Sequence, residues 1–148
     1  HRPNRRLSEF VAAELAPAIE EEIAACGFAD RREDVLLVNM PRGRSAKIAY
    51  GFDQSVLLCR ALSKKTGLAH REIVGRRYGG SEQKKLTGTL RFKNVQGLFY
   101  LRDKERVAGK CILLVDDIVT TGASMAGCVK LLKKAGAKEI VAFCIAQD

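Results

Sequence analysis

The residues best suited to chemistry stand in one run, Cys111-Ile112-Leu113-Leu114-Val115-Asp116-Asp117-Ile118-Val119-Thr120-Thr121-Gly122-Ala123-Ser124. Cys111 to Val115 reads as a hydrophobic strand that delivers two adjacent carboxylates to its carboxyl end. A loop of small hydroxyl residues and glycine then opens directly into a helix. Backbone N–H groups at a helix N-terminus, joined by the hydroxyls of Thr120, Thr121 and Ser124, form an anion cradle, and Gly122 lets the backbone approach closely. That cradle suits a monophosphate. Asp116 and Asp117, just before it at the distance of a sugar from its 5′-phosphate, can accept hydrogen bonds from vicinal ribose hydroxyls or hold Mg²⁺ through water. An Asp-Asp pair alone fits a core strand with an Asp-capped turn equally well. Strand, paired acids, Thr-Thr-Gly and helix in this order favour the phosphate site. A Walker A loop is excluded, because no Gly-Lys-Ser/Thr follows.

Two basic segments can supply the other half of an anion site. In Met40-Pro41-Arg42-Gly43-Arg44, Gly43 permits unusual backbone geometry, and Arg42 and Arg44 can pair with diphosphate oxygens through charge-assisted bonds. A solvated basic turn is the plain alternative. Lys47 is a weaker candidate in the same loop. From Gly75 to Lys93 the apolar pattern collapses, leaving Arg76, Arg77, Lys84, Lys85, Arg91 and Lys93, with Gly79 and Gly80 as hinges. A loop of this length in a compact chain is either functional or disordered. Tyr78 and Phe92, interleaved with its cations, also allow a single-stranded nucleic-acid surface on which bases stack. His70 stands alone and reads as structural or solvent-exposed rather than catalytic. The Lys130, Lys133 and Lys134 run is a solvated helix face.

These groups need an alternating α/β scaffold to position them. Ser8 is expected to cap a helix with Val11, Leu15, Ile19 and Ile23 on its apolar side, ending near Gly27 and bent or split at Pro17. Val35 to Met40 is a short buried strand, 53–66 a helix stopped by Gly67, and Ile73-Val74 part of another strand. Order resumes at 95–101. After the central strand from Cys111, residues 123–135 form a helix and 139–146 a last strand. Alternation of this kind gives a mainly parallel sheet flanked by helices, with ligands beyond the carboxyl ends of its strands.

Composition bounds the rest. The chain has 148 residues and a formal charge of +9, so one domain (1–148) with anionic partners is expected. No apolar run reaches membrane-span length, and no low-complexity tract points to disorder. Residues 1–6 begin without Met or an apolar signal core, and read as a processed or disordered end. Five cysteines without a C-x-x-C pair look like free thiols of a reducing, cytoplasmic compartment, with neither a disulfide framework nor a zinc site.

The Asp116 to Ser124 segment resembles the phosphoribosyl pyrophosphate (PRPP) signature of type I phosphoribosyltransferases. Gly51-Phe52-Asp53-Gln54-Ser55 resembles the Arg-Gly-Phe-Asn-Gln motif of the competence protein F (ComF-like) members, with Tyr50 in place of Arg and Asp53 in place of Asn. Arg76-Arg77, Gln83, Leu86, Arg91, Asn94-Val95, Gly97 and Phe99 follow that group's order. The likeness spans about residues 35 to 146, and the group's N-terminal zinc segment has no counterpart here. The resemblance implies the type I phosphoribosyltransferase fold, ribose contacts from Asp116 and Asp117, and a 5′-phosphate on Thr120, Thr121, Gly122, Ala123 and Ser124. It also implies a pyrophosphate loop at Arg42, Gly43 and Arg44, and a flexible loop with Arg76, Arg77, Lys84, Lys85 and Arg91 that closes over PRPP. The implied reaction is displacement of pyrophosphate at ribose C1 by a nitrogen acceptor, assisted by Mg²⁺ that arrives with PRPP. The alternative is a non-catalytic PRPP-sensing or single-stranded-DNA-handling module for DNA uptake. A homodimer is compatible with either.

Overall fold

The computed structural model describes residues 5–43, 51–77, 97–119 and 122–147. Helix α1 (Arg5–Ala25) leads through a short 3₁₀ turn at Arg32–Asp34 into β1 (Val35–Asn39), followed by α2 (Gln54–Thr66) and β2 (Ala69–His70). Strands β3 (Val74–Arg76) and β4 (Phe99–Leu101) come next, then β5 (Cys111–Val119), α3 (Ala123–Lys134) and β6 (Glu139–Gln147). Among the described residues, four strands form a parallel sheet in the order β2-β1-β5-β6.

Side-chain alternation splits the core in two. Leu37, Leu113 and Val115 face α1 and α2, where they meet Ile19, Ile23, Phe28, Leu58 and Leu62. Leu36, Val38, Ile112 and Leu114 face the opposite way, onto α3 (Cys128, Leu132) and the β3–β4 ribbon (Val74, Phe99). Strands covered on both faces must be apolar throughout, which is why β1 and the first half of β5 read as unbroken hydrophobic runs.

Four differences from the sequence reading have physical causes. Ser8 does not cap α1: the helix already includes Arg5 and Arg6 and runs unbroken through Pro17. Pro17 and Ala13, four residues before it, are both exposed, so the carbonyl that loses its N–H partner faces water. Ile73-Val74 leads not into the parallel sheet but into a separate antiparallel ribbon, with Val74 opposite Leu101 and Arg76 opposite Phe99. Arg76 therefore lies in a strand, not in the loop. The two-residue β2 is too short for periodicity to show. Finally, β5 extends four residues past Val115, because β6 pairs with it as far as Val119 opposite Gln147.

Helix α2 has clear signals at both ends. Asp53 caps it, its Oδ1 accepting from the Ser55 and Val56 backbone N–H groups at 3.1 and 3.4 Å. Gly67 ends it in the left-handed region at φ 75°, where a residue without Cβ is favoured. The Ser55 hydroxyl, fully buried, lies 2.6 Å from Asp53 Oδ1 and 2.9 Å from the Met40 carbonyl. It thereby ties the start of α2 to the segment leaving β1.

Candidate active site

The extension of β5 decides the geometry of the acidic pair. Asp116 and Asp117 are consecutive strand residues, so their side chains leave on opposite faces of the sheet. Asp116 belongs to the side of Ile112 and Leu114, and Asp117 to the side of Leu113 and Val115. Both still border one cleft of about 320 Å³ at the carboxyl ends of β1 and β5, because they sit where the sheet ends. Its other walls are Met40 to Gly43, Arg76 and the start of α3 with Gly122, Ser124 and Met125.

The two carboxylates differ in their surroundings. Asp117, 6% exposed, is ion-paired with the Arg42 guanidinium, which is itself mostly covered. That contact fixes the segment after β1 against the end of β5, where the Met40 N–H donates to the Val115 carbonyl at 2.8 Å. Asp116 is more open. Its Oδ1 accepts from the Asp117 backbone N–H at 2.8 Å. Burial pushes its pKa up to about 6, with nearby Asp53 adding to the rise and Arg42 opposing it. A carboxylate held near neutrality in a cleft is a frequent mark of a functional group.

Two cations flank the acids. Arg42 enters from the β1 side and Arg76 from the end of β3, its guanidinium 3.7 Å from the point where a Cβ on Gly43 would stand and 5.7 Å from the Phe99 ring centre. Sequence reasoning assigned Arg76 to a flexible loop. The structure brings it into the cleft with Arg42 and Gly43. Arg77 points elsewhere: it lies over the Tyr100 ring at 5.8 Å and donates to the Gly97 carbonyl at 3.3 Å. On the fourth side, Gly122 adopts φ 74° immediately before α3, and Ala123 is buried beneath it. Arg44, Thr120, Thr121, Lys84, Lys85 and Arg91, together with Lys47, Tyr78 and Phe92, lie outside the described residues.

Residues away from the cleft behave structurally. His70 Nε2 lies 2.9 Å from Asn39 Oδ1 and joins β2 to β1, and burial is the main cause of its lowered pKa. Asn39, 3% exposed at the end of β1, has no sequence signal that distinguishes it from a loop residue. Cys59, Cys111 and Cys128 are buried with pKa values raised chiefly by burial, Cys26 is half-buried and Cys144 exposed, all five as free thiols. Among the described residues no three His, Cys, Asp or Glu side chains gather to hold a metal, and no helix is long and apolar enough to cross a membrane.

Comparison with known proteins agrees with this geometry. The family model of the phosphoribosyl transferase domain matches residues 53–148. The DNA utilization protein YhgH of Salmonella typhimurium is 30% identical over 141 residues, covering 95% of this chain and 61% of that protein. Its Escherichia coli K12 counterpart is 33% identical over 110 residues, covering 74% and 48%. An orotate phosphoribosyltransferase of Bartonella tribocorum is 34% identical over 112 residues, covering 69% and 58%. The chain thus spans about half to three-fifths of the length of these curated relatives. Among solved structures, an adenine phosphoribosyltransferase superposes with a TM-score of 0.55 at 18% identity, over 94% of this chain and 71% of that one. A Staphylococcus aureus hypoxanthine phosphoribosyltransferase gives 0.53 at 15%, over 97% and 65%. At such identities the likeness concerns the fold, which is that of the type I enzymes. With its parallel sheet, its acidic pair at the end of β5 and a family match over most of its length, the chain belongs to the phosphoribosyl transferase domain family.

Proposed function

We propose that the protein is a PRPP-dependent phosphoribosyltransferase acting on a nitrogen acceptor. One observation carries this reading: Asp116 and Asp117, the start of α3, and the cations Arg42 and Arg76 surround a single cleft at the end of the parallel sheet. Ribose hydroxyls would donate to the acidic pair, with Asp116 the more available of the two. The 5′-phosphate would lie on Thr120 to Ser124 at the start of α3, and the pyrophosphate toward Arg42, Gly43, Arg44 and Arg76. The Asp117–Arg42 pair would hold the pyrophosphate side in place relative to the ribose side. Two carboxylates are too few for a resident metal cage but suit a hydrated Mg²⁺ that arrives on PRPP. Bound there, Mg²⁺ would neutralise charge developing on pyrophosphate. The protein's part is then positional and electrostatic: it fixes the sugar, pairs the leaving group with cations and needs no covalent intermediate.

Calorimetry with Mg²⁺ and PRPP, on wild type and Asp116→Asn, tests the reading. Saturable PRPP binding that weakens in the variant, with pyrophosphate released when a suitable base is present, is expected. Absence of PRPP binding overturns it. A second reading is favoured by the net charge of +9 and by relatives named DNA utilization proteins: a PRPP-sensing, single-stranded-DNA-handling module without turnover, served by Arg76, Arg77, Lys84, Lys85 and Arg91. DNA binding that is competed by Mg²⁺-PRPP, with no pyrophosphate released over a panel of bases, would select it.

A further inference from the structure

Three depressions on the described surface share wall residues. The largest, about 530 Å³, lies between α1 and α2 and carries Arg5, Arg60, Lys64 and Lys65, with Glu9 as the one acid on its wall. Ser8 and Leu57 border both this groove and a smaller apolar pocket of about 150 Å³ lined by Val11, Phe52, Leu58 and Ile145. Asp117 forms the far wall of that pocket and is at the same time a wall of the candidate PRPP cleft. A basic groove and an apolar slot therefore adjoin, and the slot shares Asp117 with the cleft in which the reacting carbon would be held.

Helix stability explains only part of the groove's charges: Lys64 and Lys65 lie in the last turn of α2, where cations suit the helix dipole, but Arg5 and Arg60 have no such role. Arg5 sits at the N-terminal end of α1, whose first turn holds no acid, and a cation there opposes the helix dipole. Arg60 and Lys64 are like charges one turn apart on α2, an unfavourable spacing. All four cations are exposed, and among the described residues none is in an ion pair. Their mutual repulsion is relieved when an anion lies between them.

We propose that this track binds the acceptor, and that the acceptor is of the nucleotide class: a flat heteroaromatic base in the apolar slot, carrying phosphate on Arg5, Arg60, Lys64 and Lys65. The inference rests on the reading of the cleft as a PRPP site. In the transfer the ring-nitrogen lone pair forms the bond to C1, and the bond from C1 to the pyrophosphate oxygen breaks with its electrons on pyrophosphate. The proton released leaves the acceptor's own N–H, the 6-amino group when an adenine ring nitrogen attacks or N3–H of a pyrimidine, and passes to the released pyrophosphate.

Calorimetry at low ionic strength with AMP and TMP as purine and pyrimidine probes, and with their nucleosides, tests this. At least one nucleotide should bind about tenfold or more tightly than its nucleoside, since charge-assisted contacts are lost with the phosphate. The triple variant Arg60→Gln, Lys64→Gln, Lys65→Gln should lose that preference while keeping its melting temperature and Mg²⁺-PRPP affinity. Phe52→Ala should weaken nucleotide and nucleoside alike. Equal affinity for nucleotide and nucleoside in the wild type, or unchanged nucleotide affinity in the triple variant, overturns the proposal. So does an oligothymidylate of about eight nucleotides that binds through the same side chains when the mononucleotides do not, because the groove would then serve a strand. If the nucleotides behave as expected but Mg²⁺-PRPP does not bind the wild type, the PRPP reading fails while the nucleotide site stands.

Discussion

At the scale of single residues, the proposed function rests on charge states. Asp116 has its pKa raised from 3.8 to about 6, chiefly by burial. Between those values the folded protein holds a proton that the unfolded chain has released, so stability falls as pH rises through this window and stays lower above it. Asp116→Asn should therefore raise the melting temperature at about pH 7.5 and have little effect near pH 4. PRPP affinity should show the opposite trend, rising through about pH 6 in wild type relative to the variant as the carboxylate forms. A flat difference between the two proteins across that range would remove Asp116 from the ribose contact. Asp117 poses a separate test. Arg42→Ala leaves its buried carboxylate unpaired, which in a fully buried pair costs roughly 3–5 kcal/mol; the partial cover of Arg42 places the expected loss toward the low end of that range. Adding Asp117→Asn should recover most of it, as read from a double-mutant cycle in denaturant. Gly122, at φ 74° with nothing within 4 Å of an added Cβ, is glycine for its backbone and for whatever approaches it. Gly122→Val would strain the backbone as well as fill the proposed phosphate seat, whereas Asn tolerates the left-handed region and separates the two effects.

At the scale of elements, the β3–β4 ribbon holds Arg76 in the cleft, and its register depends on one close contact. A Cβ added to Gly75 would fall 2.3 Å from Tyr100 Cζ, so the ring lies directly on the glycine of the facing strand. Gly75→Ala must push Tyr100 aside and with it the Arg77 guanidinium above the ring. Overpacking of this kind costs about 1–3 kcal/mol. The loss should nearly vanish in a Tyr100→Ala background, which thermal denaturation of the four proteins can show. Neither partner is legible from sequence, because Gly75 looks like the beginning of a loop and the pairing joins residues 25 positions apart. By contrast, α2 is readable at both ends. Asp53 and Gly67 are ordinary helix start and stop signals, and the structure uses them as such. Asp53, which stands where the competence protein F group has Asn, thus has a capping task of its own. The end of β5 is hidden in the sequence for a related reason: two aspartates look like the end of a strand. Only the partner strand β6, with apolar residues continuing to Ile145, reveals that pairing runs beyond them.

At the scale of the whole molecule, the site is assembled from segments far apart in the chain, and this sets what sequence can and cannot disclose. Asp116, Asp117, Gly122 and Ser124 share one local motif, so a reader of the sequence finds them together. Arg42 and Arg76 reach the same cleft only because β1 lies beside β5 and the ribbon folds over α3, a fact of topology and not of spacing. The same assembly predicts how ligands act on stability. PRPP would bridge the end of β5, the start of α3, the segment after β1 and the end of β3, so its binding energy would oppose unfolding of the whole domain. At a concentration of 100 times its Kd, a ligand specific to the native state adds about 2.7 kcal/mol, which for a domain of this size raises Tm by roughly 5–10 °C. Fragments should divide the effect according to place. Ribose 5-phosphate should stabilise the wild type but not Asp116→Asn or Gly122→Asn, and Mg²⁺-pyrophosphate should stabilise wild type but not Arg76→Ala. Each fragment should keep its full effect in the other's variants, because the two ends are built by different elements. Thermal scans of these proteins with each fragment settle the matter. If every variant lost both fragment responses equally, the cleft would be one undivided anion pocket, and the assignment of ribose to β5 and pyrophosphate to β1 and β3 would be wrong.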